Sequence, residues 1–143
     1  MAKVIAVNIS KKKGVVKHSI EKGFFKLKHG LEGDAHAGDW NRMVSLLGVE
    51  SIEKMKATGV EGLCSGKFAE NITTEGIILH EIPVGTKLRV GEITLVVTQI
   101  GKQCHHGCEI KKLAGDCIMP REGIFARVLS EGWVKAGDSI VVK

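Results

Sequence analysis

Short runs that alternate apolar and polar residues, cut again and again by glycine, constrain this chain more than any other feature. Lys3-Val4-Ile5-Ala6-Val7-Asn8-Ile9 opens with the period-two pattern of a half-buried strand, and the lysine-rich Lys11-Lys12-Lys13-Gly14 stretch turns it back. Lys87-Leu88-Arg89-Val90 and Ile93-Thr94-Leu95-Val96-Val97-Thr98 flank Gly91-Glu92, a hairpin with glycine at the first turn position. Val134 to Val142, broken at Gly137-Asp138, reads as a turn into a last strand. Eighteen glycines against two prolines supply tight turns throughout. One helix is expected, with Leu47, Ile52 and Met55 near one face, Glu50 and Lys54 as an i,i+4 pair, and Gly59 at its end. A shorter helical turn is expected between Cys108 and Leu113. Many short strands with little helix predict a mainly β fold, a barrel or sandwich with one or two helical insertions.

A chain of 143 residues, 43% of them apolar, has the length of one domain (1–143) and enough apolar content for one core, which excludes disorder and fibrous repeats. No apolar run approaches the ~18 residues of a membrane span. Met1-Ala2-Lys3-Val4 lacks the apolar region of an export signal, so the cytoplasm is the expected location. The net charge of +5 is unevenly spread: residues 1–30 hold eight lysines and one acid, Glu21. Such a basic end suits a polyanion, or a solvated edge strand that resists edge-to-edge pairing. No aromatics interleave with these lysines, which argues against nucleic acid.

Of the four cysteines, Cys104, Cys108 and Cys117 fall within fourteen residues and Cys64 stands apart. With no export signal, the expectation is thiols, metal ligands or catalytic groups, and not disulfides. Cys64 reads as a small buried hydrophobe. Cys104 differs, because Thr98 to Cys108 leaves a strong strand and enters a polar, glycine-bounded loop. Lys102, His105, His106, Lys111 and Lys112 surround its thiols in sequence, and nearby cations favour the reactive thiolate. Downstream, Gly115 to Gly123 sets Cys117 before a proline turn and Arg121. Arg121 and Arg127 can fork onto a phosphate or carboxylate, as lysine cannot, or remain surface charges of little weight.

Two further stretches carry polar groups. Gly30-Leu31-Glu32-Gly33-Asp34-Ala35-His36-Ala37-Gly38-Asp39, followed by Arg42, reads as a loop whose amides could cradle an anion, with Asp34 and His36 as an acid–base or metal pair. Equally, Asp34 only caps a turn. Gly66 to Thr74 is strand-like, and its Asn71 either meets a heterocycle edge or satisfies the backbone.

Taken in order, Gly30–Gly38, Arg42-Met43-Val44-Ser45-Leu46-Leu47, Phe68-Ala69-Glu70-Asn71-Ile72-Thr73-Thr74, Val97–Cys104 and Gly123-Ile124-Phe125-Ala126-Arg127-Val128 resemble the MOSC domain, named for the C-terminal part of molybdenum cofactor sulfurases. The resemblance spans nearly the whole chain and is strongest to short stand-alone members. It implies a single β-barrel like that of pyruvate kinase and a role in molybdenum or tungsten cofactor metabolism. Cys104 matches the family's characteristic cysteine, although Gly101-Lys102-Gln103-Cys104 stands where many members have Arg-x-Pro-Cys. On this reading Cys104 carries sulfur as a persulfide or coordinates molybdenum, a sulfurtransferase-type role, with Lys102 beside it and His36 as proton carrier. Arg42, Arg121, Arg127 and Lys102 hold the phosphate of molybdopterin, and Asn71, with Thr73, its ring edge. The implied partners are a sulfur-donor protein or a molybdoenzyme. Pyridoxal phosphate is associated with the family, but no lysine here stands in a Schiff-base context. Two alternatives are a non-catalytic molybdopterin carrier and a structural zinc domain on Cys104, Cys108 and Cys117 with His105 or His106, whose C-x3-C and C-x8-C spacings lack paired C-x2-C knuckles.

Overall fold

The computed structural model describes residues 2–10, 18–34, 37–40, 43–56 (54–56 as backbone), 70–100 and 123–143. In chain order these form β1 (Lys3–Ile9), β2 (His18–Ile20), β3 (Lys22–Lys26), β4 (Gly30–Leu31), β5 (Val44–Gly48), α1 (Val49–Lys56), β6 (Ile72–Glu75), a 3-10 turn (Leu79–Glu81), β7 (Lys87–Val90), β8 (Ile93–Ile100), β9 (Ile124–Ser130), β10 (Gly132–Lys135) and β11 (Ile140–Val142). The mainly β expectation holds. An eight-stranded sheet runs β11-β7-β8-β9-β5-β6-β1-β2, and a three-stranded sheet runs β10-β3-β4.

Alternation in sequence becomes alternation in burial. Along β7, Leu88 and Val90 point inward while Lys87 and Arg89 face solvent; along β10, Gly132 and Val134 are buried while Trp133 and Lys135 are not. The expected hairpin joins β7 to β8 through Gly91, whose φ of +55° is easiest for glycine. β5 departs from alternation: all five of its residues are buried, as befits a strand flanked by β9 and β6. It pairs parallel to β6, an arrangement that needs a crossover connection, and α1 begins that crossover.

The helix starts later than its sequence pattern suggests. Leu47 belongs to β5 and is fully buried there, while Ile52 turns α1 onto the core. Glu50 accepts the Gly76 N–H at 2.7 Å, which ties the first turn of α1 to the end of β6. Gly59 and the Cys108–Leu113 turn lie outside the described residues, as does the Lys11–Gly14 turn.

Among the described residues no ladder joins β11 to β2, so the large sheet is not closed strand to strand. The start of β1 instead meets the β10–β11 turn: Val4 N–H donates to Asp138 O at 2.8 Å, Gly137 N–H to Val4 O at 2.7 Å, and Ile140 N–H to Ala2 O at 3.0 Å. The small sheet packs on the large one where glycine permits it. A Cβ on Gly23 would meet the Leu31 side chain at 2.5 Å and Val7 at 3.1 Å. Phe25, Leu31 and Val134 of the small sheet join Val4, Val7, Leu46, Ile72, Leu95 and Ile124 of the large one in a single core. No described helix is long and apolar enough to cross a membrane.

Gly30 shows how tightly the loop after β3 is set. Its φ is +98°, and a Cβ there would lie 2.7 Å from Met43 O. Gly85 has a similar φ of +95° with nothing within 4 Å. Gly85→Ala should therefore cost about 1–2 kcal/mol for backbone conformation alone. Gly30→Ala should cost about 1–3 kcal/mol more because the backbone must move, a difference that parallel urea unfolding curves will resolve.

Candidate functional site

The register of the large sheet sorts its central residues into two transverse rows. Ile100, Ile124, Leu46, Ile72, Val7 and Ile20 pair in sequence across six strands, and all are apolar. One step along lie Gln99, Phe125, Ser45, Asn71, Asn8 and Ser19, and here every residue but Phe125 is polar. Successive residues of a strand face opposite sides, so one face of the sheet is hydrocarbon at this level and the other carries hydrogen-bonding groups.

Those groups are linked side chain to side chain. Asn71 Oδ1 accepts from both the Ser45 backbone N–H at 3.0 Å and the Ser45 hydroxyl at 3.1 Å, and Asn71 Nδ2 reaches Asn8 O at 3.4 Å. Asn8 Nδ2 donates to Thr73 Oγ1 at 3.0 Å and to Glu70 O at 3.2 Å, while its Oδ1 accepts from Ser19 at 2.8 Å. Thr73 in turn donates to Glu70 Oε2 at 2.8 Å. Asn8, Glu70, Asn71 and Thr73 are all essentially sealed from solvent. Asn71 and Thr73, expected at a cofactor's ring edge, therefore stand inside the wall with their side chains bonded to protein.

One loop is tied to the end of this wall. Asp34 Oδ1 accepts the Ser10 N–H at 3.1 Å, fixing the Gly30–Gly38 segment to the exit of β1. The amides of Glu32, Asp34, Ala37 and Gly38 donate to Phe24, Leu31, Asp34 and His29 carbonyls. The expected anion cradle is thus not open at these four amides, and Asp34 acts as the turn-fixing residue. Arg127, on β9 beside the row of Ala126 and Val44, forms a salt bridge with Asp39 from the end of the same segment. Its side chain is 32% exposed, so it presents a cation at the surface next to this loop.

The remaining expected site residues lie outside the described residues: Cys104, Lys102, Cys108, Cys117 and Arg121 in the connection between β8 and β9, and His36 and Arg42 around the Asp39 loop. Ile100 stands opposite Ile124, so the connection that carries the three clustered cysteines leaves and re-enters the sheet at neighbouring strand ends. Arg127 is three residues beyond Ile124, roughly 10 Å along the strand.

Glu70, Asn8 and Ser45 were not singled out as chemical residues in the sequence. A signal existed for Asn8, an amide that closes the apolar run Val4-Ile5-Ala6-Val7. Glu70 likewise is an acid in a strand-like stretch, and acids are almost never fully buried unless paired. Removing Asn71 strands the buried Ser45 N–H. Asn71→Ala should cost about 2–3 kcal/mol, and a double-mutant cycle with Ser45→Ala should give a coupling energy of about 1 kcal/mol or more by urea denaturation.

The sequence matches the family described as "MOSC domain" over residues 33–141. The fold is similar to YuaD from Bacillus subtilis (TM-score 0.79, 19% identity, covering 98% of this chain and 94% of that one). It is also similar to YiiM from Geobacillus stearothermophilus (TM-score 0.76, 18% identity, 100% of this chain and 75% of that one). YiiM from Escherichia coli follows with a TM-score of 0.71 at 18% identity, covering 100% of this chain and 70% of that one. No curated protein matches the chain in sequence.

Proposed function

Since the chain belongs to the MOSC domain family, which is tied to molybdenum cofactor biology, we propose that it binds the pterin form of that cofactor and carries sulfur on Cys104. The observation that supports this reading most is the family match, which spans both the Asp34 loop and the connection containing Cys104. The described residues suit such a ligand. Arg127 offers a guanidinium to an anionic phosphate end, and the buried Asn71–Ser45–Asn8 linkage gives a rigid wall behind it.

In the proposed loading step, the Cys104 thiolate attacks the outer sulfur of a donor persulfide. A sulfur–sulfur bond forms on Cys104, the donor's sulfur–sulfur bond breaks, and the donor departs as a thiolate, so no outside oxidant or reductant is needed. Lys102 favours the thiolate by its charge, and His36 holds the proton that the thiol gives up. Arg127, with Arg42 and Arg121, positions the phosphate. Asn71 and Thr73 act from within the wall, keeping β5 and β6 in register. When bound, the molybdenum centre supplies the soft acceptor for the carried sulfur.

Alkylation trapping followed by mass spectrometry should find one extra sulfur on Cys104 after exposure to a persulfide donor, and none on Cys104→Ser. A Cys104→Ser protein that takes up sulfur normally would refute the proposal. Elemental analysis and pterin fluorescence of protein purified without oxygen separate this reading from a zinc domain. Arg127→Lys keeps the charge but loses the fork, so pterin affinity should fall about 10-fold, read by fluorescence titration.

A further inference from the structure

The small sheet carries on its outer face a cluster that the proposed function leaves unused. Register sets Trp133 opposite Phe24 and Lys135 opposite Lys22. Trp133 is 44% exposed, its ring meets Phe24 edge-to-face with centroids 5.2 Å apart, and Lys22 Nζ stands 4.7 Å from the Trp133 ring centre. Beside it opens a cavity of about 450 Å³, lined by Lys22, Glu92, Trp133, Lys135 and Asp138 among others.

Charge at this cluster is sorted by what holds it. The acids are bonded to backbone: Glu92 accepts the Trp133 N–H at 3.1 Å, and Asp138 accepts the Lys135 N–H at 3.0 Å. Among the described residues, neither Lys22 nor Lys135 has a carboxylate partner within salt-bridge distance, so both ammonium groups can reach an outside anion, although Glu92 and Asp138 keep their charges in the same cavity. Lys22 also continues the basic run that begins at Lys11 and includes Lys12, Lys13 and Lys17. In sequence this run has no interleaved aromatics; pairing of β10 with β3 brings one from more than a hundred residues away.

We propose that this face binds single-stranded nucleic acid, a base stacking on Trp133 while Lys22 and Lys135 neutralise adjacent phosphates. An exposed indole flanked by cations meets both needs of an unpaired strand. A duplex hides its base faces, and an acidic peptide has no use for the ring.

The test titrates the full-length protein into a labelled oligothymidylate of about 15 nucleotides, followed by fluorescence anisotropy across about 50–200 mM salt. Binding should weaken with salt, and Lys22→Ala and Lys135→Ala should each flatten the log–log slope by about 0.7. Trp133→Ala should lower affinity about 10-fold, with Trp133→Phe retaining most of it. Tryptophan quenching on binding should disappear in Trp133→Phe although Trp40 remains, which keeps the test informative if Trp133→Ala misfolds. Absence of binding at low salt, equal affinity for a duplex of the same length, equal displacement by oligoglutamate, or indifference of folded Trp133→Ala would each overturn the proposal.

Discussion

Asn71 bonds to two strands with one amide. Its carbonyl oxygen takes the backbone and hydroxyl donors of Ser45, its nitrogen reaches Asn8 O, and its own backbone N–H donates to Ser45 O at 2.9 Å. β5, β6 and β1 are thereby pinned at one level. That level matters because the adjacent row is wholly apolar. A slip of one residue exchanges the two rows, moving Val7, Leu46 and Ile72 to the hydrogen-bonding face and Asn8, Ser45 and Asn71 to the hydrocarbon face. Both halves of the exchange are unfavourable, since buried amides lose their partners as apolar groups lose their core. Register in the parallel β5–β6 pair, which no tight turn dictates, is set by this contrast.

The segments proposed to carry the chemistry are tied to that frame at their described ends. Asp34 is tied to the end of β1, and Asp39, five residues later, meets Arg127 on β9. The connection with Cys104 begins immediately after Gln99 and Ile100, members of the polar and apolar rows. Reactive groups on loops need such rigid support, because a loop's own backbone constrains them weakly.

Local pattern made much of this legible. Period-two burial in β7, β8 and β10, the Gly91 turn and the Gly137-Asp138 turn follow from residues within a few positions of one another, whereas β1 breaks its alternation at a register shift between Val4 and Ala6 and buries Ala6, Val7 and Asn8 in succession. What the pattern did not carry is non-local. Leu47 fits a helical face as well as it fits β5, and only its neighbours in β6 and β9 decide the matter. Pairing of β10 with β3, which sets Trp133 on Phe24, joins residues with no sequence relation. At the site, Asn71 was visible as an amide among apolar residues, but whether it faced a ligand or the backbone depended on Ser45, twenty-six positions earlier.

Stability alone does not account for Glu70. A carboxyl group sealed from solvent carries a desolvation cost that its donors, the Thr73 hydroxyl among them, must offset. Apolar residues of similar volume in place of Glu70, Thr73 and Asn8 would fill the same space without that cost. What they would lack is direction: hydrogen bonds specify which atoms meet, whereas hydrocarbon contacts tolerate sliding. At the junction of β1 with the start of β6, sliding is the error that would turn the polar face inside out. The acid, the hydroxyl and the amide thus trade some stability for a single alignment, and every loop anchored to these strands depends on that alignment.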